Sequence, residues 1–91
     1  MAAAVCKRVV YEGNVQGVGF RYTAYGLAGG YTVAGHVRNL PTGQVELVAE
    51  GAADQVDAFL AAVAERMADC ISGATVRDAP PTGLRGFQIR P

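Results

Sequence analysis

The chain has 91 residues, 51% of them hydrophobic, and its 8 basic and 8 acidic residues cancel to a net charge of zero. That length suits one compact domain, read here as a single domain over residues 1–91, and so apolar a chain is not intrinsically disordered. A neutral balance excludes broad electrostatic capture of nucleic acid or of an anionic membrane, so neither is expected as a partner, while a focused anion site needs no net charge.

Val5 to Tyr11 reads as the first strand, closed by Gly13, with Val9 and Tyr11 on one face that Lys7 interrupts. From Phe20 to Tyr31, the residues Phe20, Ala24, Leu27, Ala28 and Tyr31 fall on one side of a 3.6-residue helix. Gly26, Gly29 and Gly30 each cost a helix interior about 1 kcal/mol relative to Ala, so this helix is expected to be the least stable and most mobile element. Val33 to Asn39 and Gln44 to Glu50 read as two strands joined around Pro41-Thr42-Gly43. In the first, Val33, Gly35, Val37 and Asn39 share a face, while an exposed or semi-exposed His36 and a solvated Arg38 take the other. In the second, Val45, Leu47 and Ala49 oppose Gln44, Glu46 and Glu50, with Val48 out of step, and the two glutamates are expected on a solvated sheet face.

Asp54 to Met67 is the strongest helix, its stripe formed by Val56, Phe59, Leu60, Val63 and Met67, with Asp54 and Asp57 near the positive end of its dipole. Ser72-Gly73 then precedes a short strand around Ala74 to Asp78. After a Pro80-Pro81 loop, Gly86 to Arg90 reads as a last strand with Phe87 and Ile89 inward. The order is βαββαβ with a short extra strand. Two helical stripes and a sheet apolar on one side bury one another most simply in an α+β, ferredoxin-like sandwich, an antiparallel sheet with both helices packed on one face.

No stretch approaches the ~20 apolar residues of a membrane-crossing helix. The opening MAAAVCKRVV places its apolar run ahead of the basic pair, the reverse of a secretory signal, so a cytoplasmic location is expected. Cys6 and Cys70 lack metal-ligand spacing and read as free buried thiols. With a single histidine and no clustered ligands, no metal and no cofactor are expected.

The chemistry-bearing segment is Gly13-Asn14-Val15-Gln16-Gly17-Val18-Gly19-Phe20-Arg21, between the first strand and the first helix. Glycines admit positive φ and let backbone N–H groups converge, and a helix N-terminus adds positive potential, which together make an anion nest. Arg21 stands where a guanidinium reaches the same anion. A P-loop is excluded, since no Gly-Lys-Ser/Thr follows, and a dinucleotide fingerprint fails because its third glycine position holds Tyr22. On these residues alone, a tight strand-to-helix turn without ligand remains an equal reading.

Gly13 to Arg21 resembles the acylphosphatase signature G-x-V-Q-G-V-x-F-R, and Gly35 to Val45 resembles that family's second block, G-x-V-x-N-x-x-x-G-x-V. The resemblance extends through Phe87-Gln88-Ile89-Arg90 and implies the same ferredoxin-like fold. It implies that the amides of Val15, Gln16, Gly17, Val18, Gly19 and Phe20, with the Arg21 side chain, bind the phosphate of a small-molecule acyl phosphate. It further implies that Asn39 orients the attacking water, in a metal-independent hydrolysis. The chemistry is consistent: the leaving carboxylate is weakly basic, so no general acid is needed, and an amide both accepts from and donates to water. A free-standing, monomeric enzyme is expected. The alternatives are a catalytically silent phosphate-binding module on the same loop, and an RNA-binding sheet, which lacks the paired strand aromatics of such modules.

Overall fold

The computed structural model describes residues 4–91; residues 1–3, part of the stretch compared above with a secretory signal, lie outside it. Seven elements follow in order: β1 (Ala4–Gly13), α1 (Phe20–Ala28), β2 (Val33–Asn39), β3 (Val45–Ala52), α2 (Ala53–Arg66), β4 (Ile71–Ala79) and β5 (Phe87–Arg90). The strands form one sheet in the order β4-β1-β3-β2-β5. Three pairings are antiparallel, as expected for the whole sheet, but β5 lies parallel to β2. The loop after β4 carries the chain beneath the sheet to its opposite edge, so β5 enters running the same way as its neighbour.

The short strand is this last one. The segment after α2 runs nine residues along β1, beginning at Ile71 rather than Ala74. Gly73 pairs with Glu12 beside a register shift at Glu12/Gly13, and that irregularity lets the small residues stay in the ladder. The first helix, conversely, is shorter than its stripe. The N–H groups of Gly29, Gly30 and Tyr31 bond carbonyls three residues back, at 3.3, 3.0 and 3.1 Å, and close a tight turn after Ala28. Tyr31 still packs its ring 6.0 Å from that of Phe59, so an apolar partner placed by periodicity arrives from a turn instead.

Both helices cover one face of the sheet. Val9, Tyr11, Val37, Val45, Leu47 and Ala49 point up from the strands to meet Phe20, Ala24 and Ala28 of α1 and Val56, Phe59 and Val63 of α2. Each fully buried Val, Leu or Phe contributes roughly 1.5–3 kcal/mol relative to exposure. Lys7, which breaks the pattern of β1, runs its alkyl stem along this layer. Its ammonium lies 3.9 Å from Asp57 and 3.8 Å from Asp78 at the rim.

On the other face Arg38 is exposed, as expected, but the two glutamates are not solvated. Glu46 is only 4% exposed. Its carboxylate accepts from Arg8 Nε at 2.6 Å and Arg38 Nε at 2.8 Å, with His36 Nε2 at 3.5 Å. Burial pushes this carboxyl up, but the hydrogen bonds and charges of Arg38 and Arg8 outweigh it and hold the group below the usual carboxylate range. His36, semi-exposed as expected, is driven below its ordinary value first by burial and then by Arg90, against the pull of Glu46, so it is neutral at pH 7. Glu50 is buried by the β4–β5 loop. It accepts from the N–H groups of Thr82, Gly83 and Leu84 at 2.7, 2.8 and 3.0 Å, which keeps it ionised below the usual range. Val48, the residue out of step, lies half-buried on this face between its register partners Arg8 and His36.

Cys6 and Cys70 are free, as expected, but only Cys6 is buried and Cys70 is half-buried. They sit at opposite ends of β1, because Cys70 precedes the residue that pairs with Gly13. Burial, and then Glu50, push the Cys6 thiol up and keep it protonated.

Candidate active site

The loop between β1 and α1 is held from both ends by its own side chains. Val15 and Phe20 are 1% and 2% exposed, and the Phe20 ring packs 4.9 Å from that of Tyr11. Between these two anchors the chain reverses at Gly17 and Gly19, with φ of 75° and 78°. A residue with a Cβ pays roughly 1–2 kcal/mol for that left-handed conformation, which explains the two glycines. Gly19 is also the N-cap of α1. No side chain caps the helix and no acidic residue occupies its first turn. The N–H groups from Val15 to Arg21 donate to no protein acceptor among the described residues. Free amides beside an uncapped helix N-terminus present a concentrated positive potential.

Arg21 stands in the first turn of α1, and its Nη1 donates to the Arg90 carbonyl at 3.3 Å, so β5 steadies the guanidinium. Asn39 is the last residue of β2 and lies on the helix-side face, as its parity with Val37 requires. Gln16 joins the two halves: its Nε2 donates to the carbonyls of Leu40 and Gln44, both at 2.8 Å, tying the loop to the β2–β3 turn that follows Asn39.

A cavity of 210 Å³ opens between these parts, lined by Val15, Gly17, Gly19, Phe20, Arg21, Tyr22 and Asn39. Six of the residues expected at the site therefore meet around one space. Gln16 and Val18 do not line it: the Gln16 side chain is spent on the strap to the hairpin, and Val18 stands out at 38% exposure. Tyr22 and the carbonyl of Arg90 are additions. The only sequence signal for Tyr22 was its place next to Arg21, and nothing local marks a carbonyl 69 positions away.

Arg21 is the one charged side chain on the cavity wall, and no lysine, histidine or carboxylate joins it. The arrangement suits a small dianion and a water held by an amide. No group of three or more His, Cys, Asp or Glu is placed to hold a metal ion among the described residues. A wider depression of 320 Å³ beside Lys7, Asp57 and Asp78 is lined by groups already paired with one another and has no amide cradle.

The acylphosphatase family model matches residues 7–89. Over 83 residues the chain is 42% identical to an acylphosphatase of Trichormus variabilis, covering 90% of this chain and 82% of that one. An acylphosphatase of Methanospirillum hungatei is 38% identical over 88 residues, 92% of this chain and 97% of its own. The crystal structure of acylphosphatase from Bacillus subtilis superposes with a TM-score of 0.84 at 30% identity, covering 94% and 98% of the two chains.

Proposed function

Because the chain belongs to the acylphosphatase family, we propose that its loop amides and Arg21 bind the phosphate of an acyl phosphate while Asn39 positions the water that attacks phosphorus. The overall reaction is hydrolysis of an acyl phosphate to a carboxylate and inorganic phosphate, and the protein is a hydrolase. The observation that carries the residue roles is the single cavity shared by Arg21, Asn39 and the two left-handed glycines.

The amides of Val15 to Phe20 surround the phosphoryl oxygens, and Arg21 adds a planar, permanently charged donor pair. Charge that shifts onto these oxygens during transfer meets donors already in place, so little reorganisation accompanies the step. Asn39 accepts a hydrogen from water with its carbonyl and keeps its amide N–H free for a phosphoryl oxygen, aligning the nucleophile without acting as a base. The departing carboxylate is the conjugate base of an acid with pKa about 4, so it leaves without protonation. A metal would have little left to do, and full turnover in EDTA is expected.

Phosphate release from acetyl phosphate tests these roles. Arg21→Ala is expected to abolish detectable turnover and phosphate affinity together. Asn39→Ala is expected to lose nearly all turnover while inorganic phosphate still binds by calorimetry. Full activity in either variant would overturn the assignment. We also read the protein as a cytoplasmic monomer that binds no nucleic acid. Its two free cysteines suit a reducing compartment, and no helix among the described residues is long and apolar enough to cross a membrane. Sedimentation, fractionation and an oligonucleotide-binding titration check the three points.

A further inference from the structure

Exposed apolar surface is unevenly placed on this molecule. The large hydrophobic side chains left in solvent among the described residues are Val18, Tyr22, Tyr25 and Val76, and three of the four fall within one short stretch. Tyr22 and Tyr25, three positions apart, share the outer side of α1, and Val18 stands in the glycine loop that leads into it. Single exposed apolar residues need no explanation, but an exposed aromatic ring on the wall of the candidate site invites one. Tyr22 is 72% exposed and yet lines the same cavity as Arg21 and Asn39. No hydrogen bond engages its hydroxyl among the described residues, so neither packing nor polar contact explains a ring at this position.

The substrate has two halves of opposite character. Its phosphate is a dianion, and the cradle and Arg21 answer that half. The acyl group is neutral and carries whatever apolar substituent the carboxylic acid has. In-line attack by a water at Asn39 on β2 sends this half away from that residue, toward wall supplied by another element. We propose that Tyr22 is the acyl-binding platform, its ring stacking on aromatic or bulky apolar acyl groups. The proposal rests on the phosphate lying in the cradle. A ring open on one side offers stacking area at small entropic cost, since only two side-chain torsions need settle. Its exposure also lets acyl groups of different lengths overhang into solvent, toward Tyr25 for the longer ones.

The test compares acetyl and benzoyl substrates in the wild type, Tyr22→Ala and Tyr22→Phe. For each protein kcat/KM is measured with acetyl phosphate and benzoyl phosphate. Kd is measured by calorimetry for acetylphosphonate and benzoylphosphonate, which carry the same two halves joined by a C–P bond that water does not cleave. Tyr22→Ala is expected to lower kcat/KM for benzoyl phosphate and weaken benzoylphosphonate binding roughly three- to ten-fold, the range of one aromatic stacking contact. The acetyl compounds should change less than two-fold, and Tyr22→Phe should behave as wild type. Equal losses for acetyl and benzoyl compounds, or no loss for either, overturn the platform even if hydrolysis proceeds. Absent hydrolysis with a benzoyl-selective loss of phosphonate binding instead removes the catalytic roles and leaves the platform standing.

Discussion

Gly26 offers a clean measure of what the glycines of α1 cost. It is exposed, its φ is not positive, and a Cβ built there meets nothing within 4 Å. Replacing it by alanine therefore gains helix propensity with neither clash nor new packing. The full difference is about 0.8–1.0 kcal/mol in a helix interior. Gly26 lies two residues from the end of α1 and its carbonyl accepts the capping bond from Gly29, so fraying discounts the gain to roughly 0.5–0.8 kcal/mol. A chain of 91 residues unfolds with an entropy on the order of 0.19 kcal/mol/K, which converts that gain to a rise in Tm of about 3–4 °C. Thermal melts followed by circular dichroism resolve such a shift. The same exchange at Gly19, where φ is 78°, carries the opposite sign, a loss of roughly 1–2 kcal/mol. Turnover of Gly26→Ala should match wild type within two-fold, because Arg21 is steadied by the Phe20 anchor and the Arg90 carbonyl rather than by the last turn of the helix. A Tm that is unchanged or lower in Gly26→Ala, or one that rises in Gly19→Ala, would refute the reasoning.

Gln16→Ala removes two part-buried hydrogen bonds, while the Leu40 and Gln44 carbonyls keep the backbone N–H donors of Gly43 and Leu40. It is expected to cost about 1–3 kcal/mol in denaturant melts and to lower kcat more than it raises KM, since loop and Asn39 lose their common reference. Phe59→Ala empties a fully buried site whose ring meets Tyr31 at 6.0 Å and Phe87 at 5.4 Å, and should cost about 3–5 kcal/mol by urea unfolding, enough to leave little folded protein at 37 °C. Acid should destabilise the fold: Glu46 and Glu50 titrate below their ordinary 4.5 when folded, and His36 below 6.5, so the unfolded chain binds more protons and stability drops as pH falls through these ranges. Glu50→Gln should flatten the acid limb of a Tm-against-pH curve, and an unchanged limb would show that the loop amides do not govern it.

Legibility in the sequence followed how local each cause was. The stripe of α2 and the alternation of β3 are set by neighbours within two turns or two residues, and they appear where periodicity put them. The cradle was readable because a positive φ at Gly17 and Gly19 is a property of single residues. Asn39 rested mainly on resemblance, and its inward parity beside Val37 is what the register of β2 on β3 supports. The lower sheet face was misread because its burial is not local. Glu46 is covered by Arg8 from one strand and Arg38 from another, and Glu50 by a loop more than thirty residues away. Alternation alone assigns such carboxylates to solvent. The parallel entry of β5 was hidden for the same reason, since it depends on where the preceding loop crosses the sheet.

The Gln16 strap has a further consequence for timing. The cradle and the turn beyond Asn39 come from different elements, and the proposed reaction needs them aligned. A single side chain bonded at 2.8 Å to both carbonyls couples them, so that a displacement of the loop is expected to carry the hairpin with it. If Asn39 and the cradle act as proposed, such a shared tie holds their separation more constant than either position alone. A small domain can in this way keep a soft surface and a sharply tuned reaction coordinate at once.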